Sequence, residues 1–228
     1  MKPTENTHTT SKAEMHHAVE LEGEVSKELQ AGFKFLANHP QSVTFFGSSQ
    51  FTEDNKYCQD ARALAGKIVK ELNYSVFTGG GPGIMEAANR GAFEAGGHSL
   101  GITIDIPIGQ IINKYLTDQI NMFYFFIRKV CLTFSAEAFI FYPGGLGTLD
   151  EFFEIVTLVQ TKKIEGVPII CVGADYWNSL KEFMNKELRT RGSLDDSDLQ
   201  LFNITDDHDE VIRLIKTSSS KVHPRPKA

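Results

Sequence analysis

The stretch "FYPGGLGTLDEFFE", residues 141–154, decides the fold. Its apolar start reads as the end of a strand, its glycines as a turn and "TLDEFFE" as the start of a helix. Strand, tight glycine turn and helix in direct succession are the unit of parallel α/β sheets. Two readings of the turn stand side by side. In one, Gly144, Gly145, Gly147 and Thr148 cradle a phosphate, because glycines let backbone N–H groups approach an anion at a helix amino terminus. In the other, Thr148-x-x-Glu151 is a capping box whose Glu151 carboxylate folds back onto the backbone. Spacing alone leaves both open.

The same unit recurs along the chain. "SVTFFGSS" (42–49), "YSVFTGGGPG" (74–83), "HSLGITIDIP" (98–107), "EAFIFYPGG" (137–145) and "VPIICVG" (167–173) read as strands. Between them, apolar residues recur at helical spacing. Residues 18–38 carry Leu21, Val25, Leu29, Phe33 and Leu36 on one face. Residues 54–72 open on Asp54 or Asn55 as a cap. Residues 82–97 have Pro82 near the first turn and end at Gly96-Gly97. Further helices are expected at 121–136, 148–163, 175–192 and 206–219, with one short strand in the polar loop 193–207. The strand runs are almost continuously apolar, as when both faces of a sheet are covered. The expected architecture is a single doubly wound, Rossmann-like α/β domain with a mostly parallel sheet, spanning 17–217. Polar tails at 1–16 and 218–228 are expected to be disordered.

Composition excludes several function classes. With 41% hydrophobic and 23% charged residues, the 228-residue chain has the material for a sizeable core. Its net charge of −6 argues against a nucleic-acid partner. Cys58, Cys131 and Cys171 form no C-x-x-C pair, which fits a reducing compartment and opposes a structural zinc site. Cys131 and Cys171 lie in apolar runs and read as buried, inert thiols. No H-E-x-x-H occurs among the histidines, so no metal is expected. No apolar run reaches bilayer length and the amino terminus lacks a signal-peptide core. The expected location is cytoplasmic, without membrane attachment.

In a doubly wound sheet, ligands bind at the carboxyl ends of the strands. Three such ends are unusual here, "FFGSS", "FTGGGPG" and "FYPGGLGT", and all fall on one edge. Ser48 and Ser49 add hydroxyl donors. No lysine follows either glycine run, so there is no Walker A loop. The dinucleotide pattern starting at Gly79 fails because Ile84 takes the last glycine position, which opposes a nicotinamide-dependent oxidoreductase. Asp105 is a weak candidate for a ribose. One phosphate with no Mg²⁺-binding cluster points to a mononucleotide or sugar phosphate. Candidates for chemistry beside it are Arg128, Asp150, Glu151 and Glu154. A carboxylate near a ribose C1′ stabilises an oxocarbenium-like transition state or activates water. Arg128-Lys129 reads equally well as a solvated helix face. "MFYFFI" (122–127) reads as core or subunit interface rather than as a base-stacking platform, so a homo-oligomer is expected. Tyr176 and Trp177 read as packing residues.

"PGGLGTLDE" (143–151) resembles the P-G-G-x-G-T-x-x-E signature of the Lonely Guy family, the cytokinin riboside 5′-monophosphate phosphoribohydrolases formerly called "possible lysine decarboxylase". "FFGSS", "TGGGPGIMEAANRGAFEAGG", "RKVCLTFSAEAFIFYPGG" and "LVQTKKIEGVPIICVG" resemble the family's other blocks in the right order, over roughly residues 42–216. The form "FYFFIRK" resembles the longer, largely bacterial branch, often assembled as more than a dimer. The resemblance implies hydrolysis of the N-glycosidic bond of a purine nucleoside 5′-monophosphate, AMP or a cytokinin riboside monophosphate. The products are free base and ribose 5-phosphate, and no cofactor takes part. It implies Arg128 and Glu151 as the catalytic pair and Gly144, Gly145, Gly147 and Thr148 as phosphate ligands. Gly47, Ser48, Gly80, Gly81, Gly83, Met85, Glu86 and Lys129, in the matching blocks, complete the expected substrate-binding set. The homo-oligomer would be a dimer or an assembly of dimers. The alternative is a non-catalytic carrier of a nucleotide or phosphorylated cofactor, which needs the glycine edge but not the Arg128–Glu151 pair.

Overall fold

The computed structural model describes residues 12–105, 111–164 and 166–219. Its strands are β1 (Ser42–Phe46), β2 (Ser75–Thr78), β3 (Ser99–Ile104), β4 (Asp118–Met122), β5 (Ala138–Phe141), β6 (Ile169–Cys171) and β7 (Asn203–Ile204). They form one sheet in the order β4-β3-β2-β1-β5-β6-β7, and every adjacent pair is parallel. The order reverses at β1, so the switch point lies between β1 and β5. The α/β class and the doubly wound parallel sheet agree with the sequence reading.

The helices are α1 (Lys12–Ala37), α2 (Lys56–Leu72), α3 (Ile84–Glu94), α4 (Phe125–Phe134), α5 (Leu146–Gln160), α6 (Ala174–Phe183) and α7 (His208–Ser219). A π-helical stretch, Met184–Arg189, prolongs α6. Strand alternation sorts the core into two layers. Val43, Phe45, Val76, Ala138 and Ile140 face α2, α3 and α7. Phe46, Phe77, Phe139, Phe141 and Cys171 face α1, α4, α5 and α6. Trp177 is fully buried in the second layer, its ring centroid 4.9 Å from that of Phe152, and its indole N–H donates to the Val172 carbonyl at 3.1 Å. The three cysteines are buried and free, and burial pushes the thiols of Cys58 and Cys131 up to about 11. No helix among the described residues is long and apolar enough to cross a membrane.

Local signals place most boundaries. Asn55 caps α2, its side chain accepting from the Tyr57 N–H at 2.9 Å. Gly96, at φ +77°, turns the chain out of α3. Pro82 lies ahead of this helix, whose cap is Gly83. Helix α1 starts at Lys12, earlier than the apolar spacing indicates and inside the stretch expected as a tail. Residues 1–11 and 220–228, the bulk of both expected tails, lie outside the described residues. Strand β4 escapes the sequence reading. "DQINM" is mostly exposed and polar, yet it runs beside β3 in register from Leu100↔Asp118 to Ile104↔Met122. Pairing the backbone of the fully buried β3, not side-chain pattern, makes it a strand.

Candidate active site

The carboxyl ends of β1 and β5 are sewn together at the switch point. The Ser48 N–H donates to the Pro143 carbonyl at 3.0 Å, and the Ile84 N–H to the Ser48 carbonyl at 3.0 Å. The three glycine- or serine-rich strand ends thus meet. Gly83 sits at φ +71°, and a Cβ there would come within 2.2 Å of the Ser48 carbonyl oxygen. Gly144 is packed as closely, against Thr148 and the Ser48 amide, while its carbonyl accepts from the Tyr176 hydroxyl at 2.9 Å. These two glycines let the loops close on one another.

Between the loops and the helices lies a cavity of about 390 Å³. Gly145, Gly147 and Thr148 from the start of α5 form one wall, and Gly47 and Ser48 from the end of β1 another. Arg128, Asp150 and Glu151 bring the charged groups, and Gly79 and Met85 lie beside them. Of the expected substrate-binding residues, Gly80, Gly81, Gly83, Glu86, Lys129 and Gly144 do not line it. Gly80, Gly83 and Gly144 shape the loops behind the wall. Glu86 lies near α2, where its charge helps raise the Cys58 thiol. Asp105 is exposed and outside the cavity.

Helix α5 begins at Leu146, capped by the Gly145 backbone, with no side-chain cap. The capping box is therefore not formed, because Thr148 lies inside the first turn rather than at its start. The N–H groups of that turn have no intrahelical acceptors, and this end carries partial positive charge. Glu151, one turn on, is 6% exposed, and its Oε2 has no hydrogen-bond partner. Burial pushes its carboxyl up to about 7; Lys129 pulls it down and Glu154 pushes it up, with smaller opposed effects from Arg128 and Asp150. A carboxyl that titrates near neutrality and lacks a partner is suited to proton transfer.

Arg128 reaches the cavity from α4. Its Nε donates to the Ile102 carbonyl at 2.8 Å and its Nη2 to the Gly79 carbonyl at 3.3 Å. Burial lowers its pKa, the Glu151 charge opposes the shift, and the guanidinium remains a cation. The start of α4 has no cap of its own. Instead the Glu28 carboxylate of α1 accepts from the N–H groups of Phe123 and Tyr124, both at 3.0 Å. Lys129 does not line the cavity and pairs beside it, 2.6 Å from Asp150 and 2.7 Å from Glu154. The solvated-face reading of Arg128-Lys129 therefore does not hold for either residue.

The sequence reading missed the apolar side of the cavity, formed by Phe46, Phe125, Leu132 and Leu146. Leu146 is 87% exposed. An apolar residue between glycines at a helix start was the available signal for it. Phe125 belongs to "MFYFFI", whose Ile127 is buried while Phe123, Phe125 and Phe126 are exposed.

Residues 85–215 match the family described as "Possible lysine decarboxylase". Over 150 residues the chain is 31% identical to a cytokinin riboside 5′-monophosphate phosphoribohydrolase of Arabidopsis thaliana, covering 63% of this chain and 64% of that protein. Over 120 residues it is 30% identical to a protein of the same name from Rhodococcoides fascians, covering 52% and 61%. The chain thus spans slightly less than two thirds of each of these relatives. The molybdenum cofactor carrier protein of Chlamydomonas reinhardtii superposes with a TM-score of 0.59 at 21% identity, over 79% of this chain and 99% of that one. The molybdenum cofactor binding protein of Rippkaea orientalis gives 0.58 at 24%, over 77% and 93%. These two share the fold. With more than half of its length inside the family match, and with the signature loop, Arg128 and Glu151 brought to one cavity, the chain belongs to the possible lysine decarboxylase, or Lonely Guy, family.

Proposed function

We propose that the protein hydrolyses the N-glycosidic bond of a purine nucleoside 5′-monophosphate, releasing the base and ribose 5-phosphate. The observation that carries this reading is the buried Glu151 carboxyl, its Oε2 without a hydrogen-bond partner, one helical turn from a helix start that has no side-chain cap and in the same cavity. The names of the relatives supply the substrate class. The 5′-phosphate sits against Gly145, Gly147 and Thr148, where helix N–H groups and partial charge favour an anion. Gly144 holds the loop in shape, and Gly47, Ser48 and Met85 close the other walls. Ionised Glu151 stabilises the cationic ribose as the bond from C1′ to the base breaks. It then takes the proton of the water that attacks C1′. The departing base carries away the bonding electron pair and takes a proton from solvent, and Glu151 then gives up to solvent the proton it received, so that the sum is the addition of one water across the bond from C1′ to the base. Arg128, fixed by two backbone carbonyls, orients the ribose phosphate and faces the Glu151 charge. Phosphate binding energy serves to hold C1′ at the carboxylate.

The test is incubation with a panel of nucleoside 5′-monophosphates, AMP and cytokinin-type monophosphates included, with liberated base measured by chromatography. Base release by the wild type and its loss in Glu151→Gln, with AMP binding retained, is the expected result. Near-normal turnover in the variant overturns the role of Glu151. Tight binding by the wild type without base release indicates the non-catalytic carrier instead.

A homo-oligomer, a dimer or an assembly of dimers, is part of the same reading. Phe123 (68% exposed), Phe125 (52%), Phe126 (55%) and Phe134 (55%) project from α4 and its approach, more apolar surface than a monomer usually leaves to water. Light scattering on the purified protein measures the mass directly.

A further inference from the structure

Three carboxylates, Asp150, Glu151 and Glu154, crowd the start of α5, and a single ammonium, that of Lys129, serves them. Lys129 Nζ lies 2.6 Å from Asp150 Oδ2 and 2.7 Å from Glu154 Oε2, and only 16% of its side chain is exposed. The contact to Glu154 is an ion pair without hydrogen-bond geometry, whereas Glu151 Oε2 has no hydrogen-bond partner and, among the described residues, Glu151 makes no ion pair. Lys129 directly follows Arg128 in α4, and Asp150 directly precedes Glu151 in α5. The ion pairs therefore tie together the two helices that carry the cavity's cation and its buried acid.

We propose that Lys129 is a positioning residue for Glu151, holding Asp150 and Glu154 in its own ion pairs so that the Glu151 carboxyl stays free to face the cavity. This rests on the function proposed above for Glu151. It reassigns Lys129 from a direct substrate ligand to a residue that acts through the acid. Its ammonium is already engaged, and it does not line the cavity.

The charged groups that face Glu151 are few. Arg128 and Lys129 come from α4, and Asp150 and Glu154 from α5 itself. The strand-end loops on the far side of the cavity contribute Ser48, Ser49, Gln50, Gly79 and Met85, which carry no charge. Of the two cations, Lys129 acts on the Glu151 carboxyl more strongly than Arg128 does. Without Lys129, three anionic groups would share one helix start, and each would hold its neighbours' protons more firmly. The pairs are partly exposed, with Asp150 57% and Glu154 32% accessible, so their value lies in setting a charge rather than in fold stability.

The test follows Glu151 in two ways on the full-length protein. One is the acid limb of kcat/KM for AMP, and the other is a ¹³C-carboxyl NMR titration of glutamate-labelled protein, assigned with Glu151→Gln. In Lys129→Met, limb and titration are expected to move up by about one pH unit or more, the direction and scale of losing a nearby cation. In Asp150→Asn/Glu154→Gln, which keeps Lys129, both are expected to move down. Adding those two changes to Lys129→Met should return both towards the wild-type value. Lys129→Arg should stay near wild type. An unshifted titration in Lys129→Met together with an unshifted one in Asp150→Asn/Glu154→Gln overturns the proposal. So does a raised KM for AMP with the limb in place, which is the signature of a direct substrate contact. The titration needs no turnover. Absent AMP hydrolysis would therefore count against the proposed function alone, and an unmoved titration against Lys129 alone.

Discussion

Arg128 Nη2 donates to the Gly79 carbonyl at 3.3 Å, and a Cβ on Gly79 would come within 2.2 Å of that same nitrogen. The absence of a side chain at residue 79 is therefore what lets the guanidinium lie over the end of β2. Gly79→Ala is expected to displace Arg128, since the added methyl also meets Met85 Sδ at 2.9 Å. Misplacing a group that orients the reacting centre should cost about 100-fold in kcat/KM. Circular dichroism should show an intact fold, and steady-state kinetics on AMP measures the loss.

Glu151 links activity to pH. In the proposed reaction it acts in its ionised form, and burial pushes its carboxyl up to about 7, so kcat/KM should rise through neutrality and level off above it. Below that limb the rate should fall about tenfold per pH unit. A limb at the ordinary carboxylate value near 4.5 would contradict the desolvation of this site.

The same group links stability to pH with the opposite sign. Its folded pKa, about 7, is raised above the ordinary 4.5, so between those values the native state holds more protons than the unfolded one. Stability should therefore fall as pH rises through this window. Glu151→Gln, which has no charge to bury, should gain on the wild type by about 1–3 kcal/mol at pH 8, and the gain should vanish near pH 4.5. Denaturant unfolding at the two pH values checks both statements.

Thr148 lines the cavity from the first turn of α5 and does not cap the helix. Thr148→Val keeps the shape and removes the hydroxyl. It should raise KM for AMP about tenfold, as expected for one hydrogen bond to a charged group. It should leave Tm nearly unchanged, and the comparison with adenosine, which lacks the phosphate, should show no such effect.

Trp177 is fully buried against Phe141 and Phe152, and Phe152 directly follows Glu151. Trp177→Ala should cost about 3–5 kcal/mol by leaving a cavity under α5. Urea unfolding measures it. Activity should fall in parallel, because the helix that carries Glu151 loses its support.

Much of this molecule is written locally. The apolar strand runs, the Asn55 cap, the glycine stop after α3 and the glycine loops needed only nearest-neighbour chemistry to be read. Strand β4 was not legible, because its residues are polar and its reason for being a strand is the open edge of β3, far away in sequence. The start of α5 was ambiguous for a related cause. Thr148 and Glu151 have capping-box spacing, but hydrogen bonding around Gly144 and Ser48 sets the helix start at Leu146, two residues earlier.

By itself, the sequence determined the α/β class, the phosphate-suited glycine edge and the family. These depend on residue types in order along the chain, and order survives without a fold. Only the tertiary structure decided which charged residues act together. It buried Glu151 without a hydrogen-bond partner for its Oε2, anchored Arg128 on β3 and on the glycine that follows β2, and paired Lys129 with Asp150 and Glu154. Arg128 and Lys129 are neighbours in the chain and differ in role because successive side chains on a helix point about 100° apart. Burial, which moves the Glu151 carboxyl to about 7, is a property of everything packed around a residue, and no spacing along the chain records it.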